Sequence, residues 1–328
     1  MIHRRQLLQS LAISGATASL GIQPGFAQSN YPSKPIKIIV PLPPGSPADV
    51  LARITADALS RQWSQAIVVE NRPGATGMIG LQAVTRAAPD GYTLGIVFLT
   101  HTVLPQLMGP LPYDTEKDLA PVANLVWLYN VLAVPVNSPI QNLEQLITQA
   151  KAKDNKLSFG SGGNGSPAHL IAESFSQAVK AHMLHVPFKG PAEAVTGLMS
   201  DQVSCMFATS PTAAPLVRAG KLRALAVTSP QRLSALPDVP TLAESGMPNL
   251  ELREWEGIVA PAGTPKAIID KWNKDLFQVL NTPEVRNRLA DLGMSVAAPN
   301  QPEEFGKLIS KELIHWKQFA RTAGLKAG

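Results

Sequence analysis

The sequence predicts an α/β protein of two lobes joined by a two-stranded hinge. Apolar strands and amphipathic helices alternate along the 328 residues, an order typical of parallel sheets with helices on both faces. Two predicted strands, near 127–134 and 254–259, lie where the chain would leave one lobe and later return to it. The length also favours two domains, because one domain usually holds roughly 100–200 residues.

The elements of lobe one begin in the order strand, helix, strand, helix, strand. Val50, Ile54 and Leu59 fall on one face of the first helix at helical spacing. Strands are expected at 36–40, 66–69 and 92–98, and helices at 47–63 and 81–86. Three later helices, each with a proline near its first position, are expected at 265–280, 283–292 and 302–323.

Lobe two is predicted between the two hinge crossings. Its strands are expected at 130–136, 157–159, 184–188, 203–207 and 222–227, its helices at 143–152, 168–179 and 192–199, and an irregular Pro- and Ser-rich connection at 230–248. A further strand is expected at 255–260. Lobe one therefore comprises 28–126 and 256–328, and lobe two 127–255, with hinge closure around a ligand as the expected motion.

Residues 1–27 have the pattern of a cleaved signal peptide. Arg4 and Arg5 precede an uncharged, mostly apolar stretch, and residues 25–27 (Gly-Phe-Ala) form a small-x-small cleavage site. The alternative, a buried N-terminal helix, is disfavoured by Pro24 and by the lack of acidic residues before Asp49. We therefore expect an exported, periplasmic protein that uses either the Sec or the twin-arginine route.

Composition excludes several classes of protein. Apolar residues make up 45% and charged residues only 16% of the chain, which excludes disorder. No mature segment holds about 18 uncharged apolar residues in succession, so no membrane span is expected. Cleavage after residue 27 would lower the net charge from +5 to +3, and no Lys/Arg run is interleaved with aromatic residues, so no nucleic-acid partner is expected.

A five-residue motif occurs twice and indicates a binding site. Residues 45–49 read Gly-Ser-Pro-Ala-Asp and residues 165–169 read Gly-Ser-Pro-Ala-His, each between a predicted strand and a predicted helix. Helix N-termini bind anions through unpaired N–H groups and the positive end of the dipole, and ligands of open α/β sheets bind beyond the strand ends. Two such ends would hold a small anion across a cleft. The alternative is two ordinary capped helices, with Asp49 completing a capping box with Ser46.

Catalytic, metal and cofactor signals are weak. Residues 160–165 contain the Gly-x-Gly-x-x-Gly spacing of dinucleotide loops, but no acidic residue ends the next strand, so no cofactor is expected. His182 and His185 have no further ligand residue beside them, so no metal site is expected. Cys205, the only cysteine, is interpreted as an inert buried thiol rather than a nucleophile.

Together the motifs of the mature chain resemble the Bug family of periplasmic solute receptors, which serve tripartite tricarboxylate transporters. The resemblance covers essentially the whole mature chain. It is carried by residues 31–36, 43–45, 49, 52–53, 70–75, 90–94, 113–114, 117–118, 160–161, 163–166, 169–170, 185–190, 220–228, 236–241 and 260–265. It implies a Venus-flytrap receptor with a type II-like periplasmic-binding-protein fold and no enzymatic activity. It also implies a small carboxylate ligand (a di- or tricarboxylate, an acidic amino acid or an aromatic carboxylate), membrane subunits of the transporter as partners, and a monomeric state.

The resemblance further implies which residues contact the ligand. In lobe one they are Pro43, Pro44, Gly45, Ser46, Asp49, Thr76, Gly77, Thr100 and His101, and in lobe two Ser161, Gly163, Asn164, Gly165, Ser166, His169, Lys189 and Gly190. Leu42 and Ser46 replace an aromatic residue and a glycine that are usual in the family, and the aspartates usual near Ser204 and Ala208 are missing. These differences leave the ligand's identity open.

Two other functions remain as alternatives. One is a sensor that presents its ligand to a signalling receptor. The other is a periplasmic enzyme acting on carboxylates, for which His169 or Asp49 would be the candidate base.

Overall fold

Strands and helices alternate through most of the chain. A computed structural model describes residues 31–248, 250 and 252–323, and the predicted signal peptide, 1–27, lies outside the described residues. The strands are β1 (Ile36–Val40), β2 (Ile67–Asn71), β3 (Thr93–Phe98), β4 (Leu119–Pro135), β5 (Ser158–Ser161), β6 (Leu184–Pro187), β7 (Met206–Thr209), β8 (Leu222–Val227), β9 (Arg253–Pro261) and β10 (Met294–Val296). The α-helices are α1 (Pro47–Trp63), α2 (Met78–Thr85), α3 (Thr100–Leu107), α4 (Leu143–Ala150), α5 (Pro167–Val179), α6 (Pro191–Met199), α7 (Ser210–Arg218), α8 (Lys266–Leu280), α9 (Pro283–Asp291) and α10 (Pro302–Ala323).

The sheet of lobe one contains strands from both ends of the chain. Its order is β10-β4-β9-β3-β1-β2. β1 pairs in parallel with both β2 and β3, which confirms the predicted parallel sheet. β9 runs antiparallel to β3 and β4, and β10 runs antiparallel to β4. Because β1 and β3 are parallel, their carboxyl ends, Val40 and Phe98, lie at the same edge of the sheet.

β4 belongs to both lobes. The part of β4 before Asn130 pairs with β9, and the part from Asn130 onward pairs with β7 and β8. β5 and β6 form a parallel pair that a bridge from Phe159 to Cys205 joins to the start of β7. Two strands, β4 and β9, thus connect the lobes, and the predicted two-lobed α/β fold with a two-stranded hinge is confirmed.

Local signals explain the bounds of α1, which match the prediction. Ser46 is its N-cap, and Ser46 Oγ accepts a hydrogen bond from the N–H of Asp49 at 3.3 Å. Pro47 occupies the first helical position, where no N–H is needed. The helix ends at Trp63, and its C-cap, Ser64, adopts a left-handed conformation with φ of 53°.

The sequence prediction missed α3 and α7. Both helices contain an internal proline, Pro105 in α3 and Pro215 in α7, and prolines disfavour a helix interior. Burial compensates, since Val103 and Leu107 of α3 lie in the core of lobe one. No described helix has the length and the apolar run that crossing a membrane requires.

Each lobe has its own apolar core. In the core of lobe one, the ring of the hinge residue Trp255 meets that of Phe305 edge to face at 5.5 Å. In lobe two, Phe159 and Phe207 are fully buried together with Cys205. Burial raises the pKa of the Cys205 thiol to about 12, so the thiol stays protonated and out of contact with solvent.

Gly257 offers a test of how tightly β9 packs. A Cβ at this position would lie 2.6 Å from the carbonyl oxygen of Ala123 and 2.8 Å from a ring carbon of Phe305. We expect Gly257→Ala to destabilise the protein by about 1–3 kcal/mol, as overpacked cores do. Thermal unfolding would measure the change.

The matched control is Gly306→Ala in α10. There a Cβ would be 3.4 Å from Pro121 Cγ, an ordinary contact distance, and alanine favours the helix by about 1 kcal/mol. Equal melting temperatures for the two variants would contradict the close packing described at β9.

Candidate functional site

A cavity of about 360 Å³ lies between the lobes, beyond the carboxyl ends of β1 and β3. Predicted ligand-contact residues that line it are Pro43, Thr76, Gly77, Thr100, Ser166, Lys189 and Gly190. The cavity therefore brings together predicted contact residues of both lobes. Most of the remaining wall is apolar, including Leu42, Phe98, Leu128, Val195 and Met206.

The start of α5 directs hydrogen-bond donors at the cavity. Ser166 is the N-cap but makes no capping hydrogen bond, and its buried Oγ has no partner among the described residues. Pro167 and Ala168 also line the cavity. Because the first N–H groups of a helix have no partner within it, α5 presents backbone donors and its positive dipole end together with the Ser166 hydroxyl. This arrangement suits an anion.

The start of α1 is built differently. Asp49 is buried, and its carboxylate accepts hydrogen bonds from the N–H of Gly45 at 2.9 Å, from Asn71 Nδ2 at 2.8 Å and from Arg53 Nε at 3.0 Å. Burial by itself would raise the pKa of Asp49, but the hydrogen bonds from Arg53, Gly45 and Asn71 outweigh it and hold the pKa below its ordinary value. Asp49 therefore supports the loop before α1 and does not line the cavity.

The turn before α2 has an unusual backbone. Gly74, Ala75, Thr76 and Gly77 all have positive φ, which is rare for residues other than glycine. His101 lies behind this turn, fully buried, with its Nε2 3.5 Å from the carbonyl oxygen of Gly77. Burial lowers the pKa of His101 to about 4, so the neutral ring supports the turn while Thr76 and Gly77 form the cavity wall.

The remaining predicted residues also lie outside the cavity wall. The full set outside it is Pro44, Gly45, Ser46, Asp49, His101, Ser161, Gly163, Asn164, Gly165 and His169. His169 Nδ1 accepts from the N–H of Gly165 at 2.9 Å, and its ring stacks on His185 at 3.9 Å. Ser161 Oγ lies 2.6 Å from His185 Nε2. For these residues ligand contact stays a prediction.

Sequence reasoning missed two acidic residues in the wall, Glu254 and Glu256 of β9. Both are buried, and Glu254 Oε1 accepts from Asn130 Nδ2 at 2.8 Å. Burial raises the pKa of Glu254 to about 7, and burial together with the nearby Glu254 carboxyl raises that of Glu256 to about 8. The signal was present in the sequence, because Glu-Trp-Glu within an apolar strand places both carboxyls on one face.

Comparison with known proteins places this architecture in a family. The family described as "Tripartite tricarboxylate transporter family receptor" matches residues 51–325. This chain belongs to that receptor family. Protein BugT of Bordetella pertussis is 35% identical over 328 residues, covering 98% of this chain and 98% of BugT. The resemblance to the Bug receptors is confirmed, and the protein is a solute-binding protein of this family.

Two solved structures of similar proteins contain dicarboxylates. The R. palustris protein Rpa4515 with adipate is 30% identical, with a TM-score of 0.83 over 91% of this receptor and 100% of its own chain. MatC (Rpa3494) from Rhodopseudomonas palustris with bound malate is 30% identical. Its TM-score is 0.76, and the match covers 88% of this receptor and 99% of MatC.

The receptor has a larger and more open groove elsewhere. Its volume is about 860 Å³, and it lies between α3 and α10. We place the candidate site in the smaller cavity, where strand ends and helix starts converge as they do in ligand sites of α/β proteins. Among the described residues, no group of three or more His, Cys, Asp or Glu side chains is arranged to hold a metal ion.

The support role of Asp49 in this receptor is testable. We expect Asp49→Asn to destabilise the protein at pH 7 by about 1–3 kcal/mol, because charged hydrogen bonds to Arg53 and Gly45 are lost. The folded-state pKa lies below the unfolded value of about 3.9, so this stabilisation is present above that pH and is lost as the pH falls through the folded pKa. Unfolding curves at several pH values would show the two proteins converging in acid.

Asp57→Asn is the control. Asp57 forms an exposed i, i+4 pair with Arg61 at 2.7 Å, which we expect to contribute under about 0.5 kcal/mol. A loss of stability in Asp57→Asn as large as that in Asp49→Asn would show that the buried hydrogen bonds of Asp49 have no special role in stability.

Proposed function

We propose that this protein is a periplasmic receptor that captures a small carboxylate and presents it to the membrane subunits of a tripartite tricarboxylate transporter. The observation that carries the proposal is the start of α5, where a buried, unpartnered Ser166 hydroxyl and backbone donors face the cavity between the lobes. Membership in the receptor family and the relatives with adipate and malate support it. Export through the predicted signal peptide fits the same role.

The carboxylate is proposed to lie in the cavity, between the start of α5 and the start of α3. Ser166, Thr100 and Lys189 line the cavity and provide two hydroxyl groups and one cation. Thr100 Oγ1, like Ser166 Oγ, is buried without a hydrogen-bond partner among the described residues. A carboxylate would satisfy both hydroxyls, which offsets the free energy of burying them.

We propose that lobe one (28–126 and 256–328) and lobe two (127–255) close on each other about β4 and β9. The closed shape would then be what the membrane subunits recognise, as in hinge-bending binding proteins. The sensor and enzyme alternatives lack a supporting observation. The candidate bases of the enzyme alternative, His169 and Asp49, lie outside the cavity wall and are held by internal hydrogen bonds.

A ligand screen tests the proposal directly. Mature protein (28–328), stripped of ligand by unfolding and refolding, is scanned thermally with di- and tricarboxylates, acidic amino acids, aromatic carboxylates and neutral compounds. A ligand at about 100 times its Kd stabilises by roughly 2.7 kcal/mol, so we expect a clear rise in Tm with one carboxylate class. A folded protein whose Tm no carboxylate raises would contradict the proposal.

Removal of the unpartnered hydroxyls should weaken binding without unfolding the protein. We expect Thr100→Val and Ser166→Ala each to raise the Kd of the bound carboxylate about tenfold or more, since a hydrogen bond to a charged group contributes roughly 1.5–3 kcal/mol. Isothermal titration calorimetry measures the change.

Thr115→Val is the matched control. Thr115 Oγ1 is also buried and finds no hydrogen-bond partner in the described part of the chain, but it lies in the groove between α3 and α10. An unchanged Kd in Thr115→Val with a raised Kd in Thr100→Val would localise the ligand, whereas the reverse would move the site to the groove.

A further inference from the structure

Glu254 and Glu256 stand side by side on the hinge, at the base of the cavity. The alternation of a β-strand directs both side chains to one face of β9. In the antiparallel registers, Glu254 lies opposite Leu128 of β4, and Glu256 lies opposite Phe98 of β3. All four residues line the cavity.

The wall formed by these glutamates holds a carboxyl oxygen without a partner. Glu256 is only 6% exposed, and its Oε2 has no hydrogen-bond partner among the described residues. Glu254 accepts from Asn130, which lies behind the wall and does not line the cavity. Within the described part of the chain, no basic side chain lies within ion-pair distance of either glutamate. An ionised pair therefore has no cation beside it, and a cationic donor on a ligand in the cavity would supply one.

Burial of two adjacent carboxyls without a cation is costly. Desolvation raises the pKa of both groups, and their mutual repulsion raises that of Glu256 further. Structural carboxyls of this kind are normally paired, so unpaired ones that face a cavity are candidates for ligand contact.

We propose that Glu254 and Glu256 form a second subsite that binds a protonated amine, so that the captured ligand is an amino carboxylate. The inference rests on the proposed function, because it places the carboxylate of the same molecule at Ser166, Thr100 and Lys189. An ammonium group brings three donors and a positive charge, which match the acceptors of the wall. A second carboxylate would bring only acceptors, and ionised glutamates would repel it.

The wall between the two subsites indicates which kind of chemical group joins the amine of the ligand to its carboxylate. Leu42, Val195 and Met206 line the cavity together with Phe98 and Leu128. Apolar side chains of this kind favour a short aliphatic spacer between the amine and the carboxylate. They also lower the local dielectric constant, which strengthens the attraction between an ammonium group and the glutamates.

Binding of a cation at the pair has a defined pH dependence. A cation favours ionised glutamates and lowers their pKa, so protons are released on binding and affinity rises with pH between about 6 and 8. The other ionisable side chain in the wall is Lys189. His101 lies behind the wall and is neutral, and β3 and β4 carry no charged side chain beside β9. On α10, burial raises the pKa of Glu312, and the charge of Arg253, the residue before Glu254, opposes this rise.

The test uses calorimetry with matched ligand pairs. The panel contains 4-aminobutyrate, 5-aminopentanoate, 6-aminohexanoate and glutamate beside succinate, glutarate and adipate, at pH 6, 7 and 8, in buffers that differ in ionisation enthalpy. We expect one amino carboxylate to bind at least about tenfold more tightly than its dicarboxylate partner, a difference of roughly 1.4 kcal/mol. Proton release should accompany its binding.

Isosteric variants assign the effect to the pair. We expect Glu254→Gln/Glu256→Gln to lose about tenfold or more in affinity for the amino carboxylate, to change its affinity for dicarboxylates by less than about threefold, and to release no protons. Glu312→Gln is the control: Glu312 is a half-buried glutamate of α10 outside the cavity wall, and its variant should bind as the wild type does. Circular dichroism and Tm verify that each variant is folded.

Three results would overturn the inference. Tightest binding of a dicarboxylate, with proton uptake and higher affinity at low pH, would show that protonated glutamates act as donors to a carboxylate. Binding of carboxylates with no preference for an amine, unchanged in the double variant, would reject the amine subsite while leaving the proposed function standing. Failure of every carboxylate in this panel and in the wider screen to bind would reject both.

Discussion

The pairing of β4 with β9 is the constraint on which the rest of the structure depends. These strands join the lobes, and β4 alone supplies neighbours to sheets on both sides of the hinge. Their side chains also form the base of the cavity, where Glu254 and Leu128 face it as a cross-strand pair. Because the same residues form the hinge and the cavity, a change of hinge angle would alter the ligand's surroundings directly. In the proposed function, binding and closure would therefore be coupled through these two strands.

The repeated Gly-Ser-Pro-Ala motif shows how one local pattern serves two purposes. In both copies the residue after Ala accepts a hydrogen bond from the N–H of the glycine, Asp49 from Gly45 and His169 from Gly165. This shared bond holds each loop against its helix. The serines differ, since Ser46 caps α1 whereas Ser166 leaves α5 uncapped and faces the cavity. The local geometry is thus the same in both copies, but only the second copy leaves its serine hydroxyl available to a ligand.

The cavity combines donors and acceptors within a largely apolar wall. Hydroxyls and helix N–H groups lie on one part of it, and buried carboxyls lie on another. Each unpartnered group costs free energy in the ligand-free protein, and a complementary ligand recovers that free energy on binding. Unsatisfied polar atoms therefore raise specificity, because a ligand that lacks the matching group leaves them unpaired.

Local signals were enough to predict the α/β class, the parallel strands β1 to β3, the bounds of α1 and α10, and the motifs that resemble the Bug receptors. Such signals include a Ser-Pro helix start and helical spacing of apolar residues. Three-dimensional packing was needed to establish that the proline-containing α3 and α7 are helical, that β4 extends back to Leu119, and that Glu254 and Glu256 face the cavity while Asp49 and His169 do not. Burial and hydrogen-bond partners depend on residues distant in sequence, and periodicity does not specify them.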